Sequence, residues 1–214
     1  MVAIPKPRDD KYNERRAELG EAALQTLASL GYARTSLREI AQNSSYSHGV
    51  LHYYFSDKVD LILCSVRQYK AVCVTRYDQV TAETQDYAQL LQRFGDKMVE
   101  TLRDETSMHR LWYDLRSQAM FEEALRADVF EIDKSLEQMI WRVLSRFSEL
   151  ADTPVKVSSE VAYALFDGLF QHALQKYLVG DANALDELRE NTEMLVKQLI
   201  AEPTIAPKRA KKKA

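Results

Sequence analysis

Residues 36–58 read Ser-Leu-Arg-Glu-Ile-Ala-Gln-Asn-Ser-Ser-Tyr-Ser-His-Gly-Val-Leu-His-Tyr-Tyr-Phe-Ser-Asp-Lys, and the rest of the chain is organised around them. Ser36 followed by Glu39 is a capping box, in which each side chain can satisfy the other's free backbone N–H. Leu37, Ile40 and Ala41 then fall at i, i+3 and i+4 and give one short helix one apolar stripe. The polar run Asn43-Ser44-Ser45 interrupts it, and Ser47 is placed to cap a second short helix from His48 to Tyr54. Two short helices joined by a tight polar turn form a helix-turn-helix unit, whose second helix fits a DNA major groove.

At about 100° per residue, His48, Gly49, His52 and Tyr53 share one arc of that second helix. Leu51 points the other way, with Ile40 as its expected packing partner. The arc sets hydrogen-bonding rings around a glycine that permits close backbone approach. It is a reading head or a polar face.

Gly49-Val50-Leu51-His52-Tyr53-Tyr54-Phe55-Ser56-Asp57-Lys58, ending at Leu61, resembles the Gly-x-Leu-Tyr-x-His-Phe-x-x-Lys-x-x-Leu signature of the tetracycline-repressor (TetR) family. Gly31-Tyr32, Thr35-Ser36-Leu37 and Ile40-Ala41 stand where that family has its upstream elements, so the resemblance covers roughly residues 12–65. His52 replaces the usual Tyr and Tyr54 the usual His, which bears on the operator sequence rather than on the family. The resemblance implies a double-stranded operator DNA as partner, contacted by Ser36, Arg38, Ser47, His48, Gly49, Val50, His52, Tyr53, Tyr54 and Lys58. Arg38 suits a guanine edge or a phosphate. Tyr53, Tyr54 and Lys58 match positions that bind the phosphate backbone.

Composition agrees with an all-α protein. The 214 residues are 46% hydrophobic and 29% charged, with six glycines and five prolines, four of them near the ends. No apolar run approaches the roughly 20 residues of a membrane span, and no signal-peptide core opens the chain, so a cytoplasmic protein is expected. Residues 1–60 balance eight Lys/Arg against eight Asp/Glu, the tail from Lys208 adds +5, and the total is −3. An acidic body with a neutral head suits a head that alone meets phosphate. Cys64 and Cys73, nine residues apart on one helix, lie roughly 13 Å apart and cannot bridge.

The periodicity divides the chain into a flexible arm (1–9), a DNA-binding domain (10–56), a ligand-binding and dimerisation domain (57–202) and a basic tail (203–214). The first helix is expected from Asp10 to Leu30, with Gly31 as its stop and with Arg15 and Arg16 solvated or near phosphate. Ser56 is expected to cap a fourth helix running to about residue 82, apolar on two sides and so in contact with both head and body. Further helices are read at 86–103, 107–117, 121–150, 157–179 and 182–201, the last capped by Asp181.

In the body, Phe94, Met98, His109, Trp112, Tyr113, Met120, Trp141, Phe166 and Phe170 are the candidate walls of an effector pocket, which the family resemblance implies for a small molecule. Arg110–Arg116 resembles the BetI-like subgroup, without carrying over that subgroup's choline ligand. Leu165, Leu169, Ala173, Tyr177, Leu188, Leu195 and Leu199 form apolar bands suited to a four-helix interface in a homodimer. His48 and His52 at i, i+4 lack a further ligand, so no metal and no cofactor is expected. There is no Gly-rich phosphate loop, no Gly-x-Ser-x-Gly elbow and no aligned base–orienter pair, which argues against an enzyme. The competing reading is a helical adaptor without DNA binding.

Overall fold

The computed structural model describes residues 7–200, and every regular element among them is an α-helix. The helices are α1 (Pro7–Leu30), α2 (Leu37–Gln42), α3 (His48–Tyr54), α4 (Lys58–Cys73), α5 (Asp78–Glu83), α6 (Tyr87–Asp104), α7 (Thr106–Ala119), α8 (Glu123–Ala151), α9 (Ser159–Leu178) and α10 (Ala184–Leu199). The expected arm narrows, because α1 already begins at Pro7. Proline is suited to a first turn, where its fixed φ is helical and its missing N–H would have had no partner. Residues 1–6, the last residue of the expected final helix (Ala201) and the basic tail lie outside the described residues.

The head is α1 to α3. Gly31 closes α1 with φ +76° and donates its N–H to the Leu27 carbonyl at 2.8 Å, a left-handed stop open to glycine at little cost. Ser36 Oγ accepts the Glu39 N–H at 3.2 Å and donates to the Glu39 carboxylate at 2.9 Å, so the box closes through the hydroxyl. Ile40 and Leu51 are both fully buried in the head core. At Gly20, α1 crosses α4 so closely that an added Cβ would lie 3.3 Å from Gln68 and 3.4 Å from the Cys64 sulfur.

The body departs from expectation most at α4. The cap is Asp57, not Ser56: its carboxylate accepts the Asp60 N–H at 2.9 Å, and a charged acceptor is the stronger partner for a free donor at a helix start. The helix then ends at Cys73 rather than near residue 82. The run Val72-Cys73-Val74-Thr75 is rich in β-branched residues. The break is fixed by Arg142 of α8, which donates to the Val74 carbonyl and to Asp78, the latter at 3.0 Å. Asp181 also changes role. It accepts the Asn183 N–H at 2.9 Å inside the turn, and α10 starts after Asn183.

Body helices α6 to α10 close around a chain of edge-to-face rings. Phe94 meets Tyr77, Phe147 and Phe166 at centroid distances of 5.4, 6.1 and 5.7 Å. Packing along α4 connects this core to the head, since α4 lies against α1 at one end and α8 at the other. Both cysteines are free thiols.

Candidate functional sites in the head and the body

The outer face of α3 is built by capping. Ser47 Oγ accepts the Val50 N–H at 3.3 Å, and the helix that follows leaves His48, Gly49, His52 and Tyr53 exposed. The two imidazoles meet edge to face at 4.3 Å, with their Nε2 atoms 3.1 Å apart, so one ring donates and the other accepts. Tyr53 is 73% exposed. Arg38 is exposed on α2, while Ser36, Val50 and Tyr54 are half-buried. Val50 packs against the head core. Among the described residues no group of three or more His, Cys, Asp and Glu is placed to hold a metal ion.

Two head residues differ from their expected setting. The Lys58 ammonium does not reach outward. It sits 4.1 Å from the Tyr32 ring centroid and donates at 3.3 Å to the Tyr32 carbonyl, which also accepts the Thr35 N–H, so the aromatic face and the carbonyl just past α1 hold it locally. Arg16 is neither solvated nor outward. Its guanidinium is bound to both Asp60 oxygens and to the Tyr54 carbonyl, and lies 4.5 Å over the Phe55 ring. One side chain thus fixes the end of α3, the joint and the start of α4. Burial pushes the Asp60 carboxyl up, but the bonds from Arg16 and Ser56 outweigh it and hold the group below its ordinary value.

The body holds a partly open cavity of about 80 Å³ between α4, α6, α7, α8 and α9. Met98, His109, Trp112, Tyr113, Phe166 and Phe170 line it, and Phe94 stands one layer behind, against Phe166. Met120 and Trp141 do not line it. Met120 is 69% exposed beyond the end of α7, and the phase of α8 turns Met139 and Ile140 inward instead of Trp141. Sequence reasoning missed the charged lining, namely Lys70, Arg76 and Asp167, and also Tyr77 and Tyr163. Lys70 is buried, and burial above all drives its ammonium down to about 8. Burial likewise takes His109 down to about 3, helped by Lys70 and Arg76, so its ring is neutral.

The expected interface residues divide. Ala173, Leu188 and Leu199 are buried within their own chain, where α9 and α10 pack on each other and on α6, so they are core. Leu165 is exposed, and Leu169, Tyr177 and Leu195 are half-buried. What faces outward on α9 is Val161, Ala164, Leu165, Gly168 and His172, a stripe at helical spacing. No helix among the described residues is long and apolar enough to cross a membrane.

Comparison with known proteins places these features in a group. Residues 19–63 match the model for "Bacterial regulatory proteins, tetR family". The BetI transcriptional regulator of Paraburkholderia xenovorans is 42% identical over 53 residues, a match spanning 25% of this chain and 27% of that protein. BetI of Cronobacter sakazakii is 24% identical over 196 residues, spanning 87% of this chain and 91% of the relative.

A TetR transcription regulator from Haloarcula marismortui has the same fold, at TM-score 0.70 and 20% identity over 87% of this chain and 99% of its own. The regulator FadR from Bacillus subtilis, solved with stearoyl-CoA, aligns at TM-score 0.68 and 17% identity over 84% and 96%. A regulator from Saccharomonospora viridis, solved with choline, aligns at 0.67 and 20% over 87% and 97%. The tetR-family model is matched in the head over residues 19–63 and a transcriptional regulator is matched at 24% identity along most of the chain, so this chain is similar to tetR-family regulators in its head and shares the fold of solved members throughout.

Proposed function

We propose that the chain acts as a homodimeric, ligand-responsive repressor that binds a pseudopalindromic operator. The observation that carries the reading is the outer face of α3, where His48, Gly49, His52 and Tyr53 are exposed on a capped helix backed by a buried Leu51. A major groove admits such a helix, and hydrogen-bonding rings on its first turns meet base edges and phosphates. Residues 10–56 form the reading domain and residues 57–202 the body. Ser36, Arg38, Ser47 and Tyr54 flank the groove face, with Lys58 acting as a strut of the head.

The exposed stripe of α9 pairs with its symmetry mate, with Met194 of α10 alongside, in an isologous four-helix contact. A small molecule in the body cavity shifts α4 and α7, and with them the separation of the two heads. The tail from Pro203 contributes at most a salt-sensitive, sequence-independent attraction to DNA.

Selection from a random duplex library with the full-length protein tests the reading. Enrichment of two-fold symmetric sites, with half-sites about 34–36 Å or a multiple apart, is expected. His52→Ala should relax preference at one position per half-site at a cost of about 1–3 kcal/mol, and Tyr53→Ala should weaken binding to all sequences. No enrichment over bulk duplex would favour an adaptor without DNA specificity.

A further inference from the structure

Around the body cavity, nearly every charged group has a partner. Arg76 donates to both Glu105 oxygens at 2.7 and 2.6 Å, and Tyr69 donates to the same carboxylate. Asp167 accepts from Arg116 at 2.6 Å and from Tyr113 at 3.0 Å. Asp133, one layer out, accepts from Tyr163 at 2.5 Å and pairs with Arg116 at 3.3 Å. These carboxylates and arginines satisfy one another.

Three groups on the wall made by α4 and α7 are left over, and the Thr101 hydroxyl on α6 is a fourth at the cavity. The Lys70 ammonium, on a residue only 4% exposed, faces the Trp112 ring at 4.6 Å and the Tyr69 ring at 5.5 Å, with no acceptor among the described residues. The buried indole N–H of Trp112 and the buried Nε2 of His109 have no hydrogen-bond partner among the described residues. The other nitrogen of His109 bonds the Thr101 backbone as a donor, which leaves Nε2 as a bare acceptor. Each unsatisfied buried polar group costs about 1–3 kcal/mol, and a charged one more. Such costs converging on one void mark a site that something else completes.

The chemistry of the completing group follows. Two donors, one of them cationic, call for an acceptor that carries negative charge. The facing walls, Met98, Leu136, Met139, Ile140, Phe166 and Phe170, call for an apolar body. A cationic ligand is disfavoured for a specific reason: Lys70 already occupies the cation's place over the indole face, so a second ammonium would meet like charge in a poorly solvated space. Lys70 also borders a surface groove of about 380 Å³ between α4 and α8, whose charged lining is Arg67, Asp128 and Glu131.

We propose that the cavity binds a small monocarboxylate, its carboxylate held by Lys70 and the Trp112 N–H, its apolar body against Met139, Ile140, Phe166 and Phe170, and a hydroxyl, where present, donating to His109. The proposal rests on reading this cavity as the effector site. A cavity of about 150 Å³ holds benzene, which has as many heavy atoms as isobutyrate, so the 80 Å³ here admits even a short branched acid only as the flexible Met98 and Met139 give way.

The test is calorimetric titration of the full-length protein with isobutyrate, 2-hydroxyisobutyrate, isobutyramide, isobutylamine and choline. The two carboxylates are expected to bind at least about tenfold tighter than the amide, the amine or choline, with the hydroxy acid the tighter of the two. Lys70→Met should weaken the carboxylates at least about tenfold, and Trp112→Phe, which keeps the ring but removes the donor, should weaken them several-fold. Thermal melts establish that both variants are folded. Preference for the amine or choline, binding to none of the five, or carboxylate affinity unchanged in folded Lys70→Met overturns the proposal. Operator affinity with isobutyrate bound is read separately: a ligand that binds but leaves it unchanged upholds the ligand chemistry and removes the effector role.

Discussion

Asp114 of α7 accepts the backbone N–H of Tyr32 at 2.7 Å, in the segment just past the end of α1. The same helix sends Arg110 to the Ala28 carbonyl at 2.9 Å, while the Tyr32 hydroxyl donates to Glu122 beyond the helix end. On its opposite side α7 presents His109, Trp112 and Tyr113 to the cavity. A single helix therefore touches both the candidate ligand site and the back of the head. The other connection is α4, which carries Lys70 and Cys73 at the cavity and Asp60 at the head.

The Arg16–Asp60 contact should make the head acid-sensitive. Asp60 titrates below its ordinary value in the folded protein, so its contribution is complete above the unfolded value of 3.8 and is lost as pH falls through the lower folded value. Arg16→Met should destabilise the head by about 1–3 kcal/mol, because it strips a partly buried carboxylate and the Tyr54 carbonyl of their shared donor. It should also flatten the stability profile below about pH 4. Melts of wild type and variant from neutral to acid pH check this, and equal acid sensitivity would remove Arg16 as the cause.

Lys70 gives a second rise of stability with pH, in the alkaline range. Its folded value of about 8 lies below the ordinary 10.5. Below about 8 both states carry the proton and the folded state bears the full cost of a buried charge. Between about 8 and 10.5 the folded state releases the proton first, so stability should rise with pH. Lys70→Met should stabilise the protein at neutral pH by roughly 2–4 kcal/mol and abolish that alkaline rise. A variant less stable than wild type at pH 7 would mean that Lys70 is satisfied in solution.

The dimer reading separates two leucines on neighbouring helices. Leu165 of α9 is 42% exposed and Leu188 of α10 is 1% exposed. Leu165→Glu should yield a helical monomer in sedimentation, whereas Leu188→Glu should fail to fold, since it puts a charge in the core. A Leu165→Glu protein that remains dimeric at low concentration would move the interface elsewhere.

Most of what could be read from the sequence depends on neighbours in the chain, although the cap of α4 was placed one residue early, at Ser56 instead of Asp57. Ser36 and Ser47 cap helices because the free N–H groups they satisfy lie three residues on, and Gly31 stops α1 through its own backbone freedom. Arg16, Lys70 and Asp114 could not be placed, because what decides their roles lies 38 to 82 residues away for the first and last, and on other helices for Lys70. The α8 phase failed for a related reason. Its apolar residues spread around the helix, so only the packed neighbours decide that Met139 rather than Trp141 faces the cavity. Ala173, Leu188 and Leu199 were indistinguishable from interface residues, since core and interface stripes have the same composition.

If α7 transmits ligand binding, breaking its contact with the head should uncouple the sites without closing either. Asp114→Ala removes the acceptor for the Tyr32 N–H and leaves the outer face of α3, the cavity lining and the Arg16–Asp60 strut in place. Operator affinity without ligand should stay within a few-fold of wild type, as should ligand affinity without operator. What should fall is the coupling, the factor by which ligand weakens operator binding, normally worth about 1–3 kcal/mol in such systems. Linkage requires operator to weaken ligand binding by the same factor, so the loss can be measured from either side and the two values must agree. A decline to less than half the wild-type coupling free energy is expected from the variant. Coupling as large as in wild type, measured from both sides, would leave α4 as the path through which the cavity reaches the head.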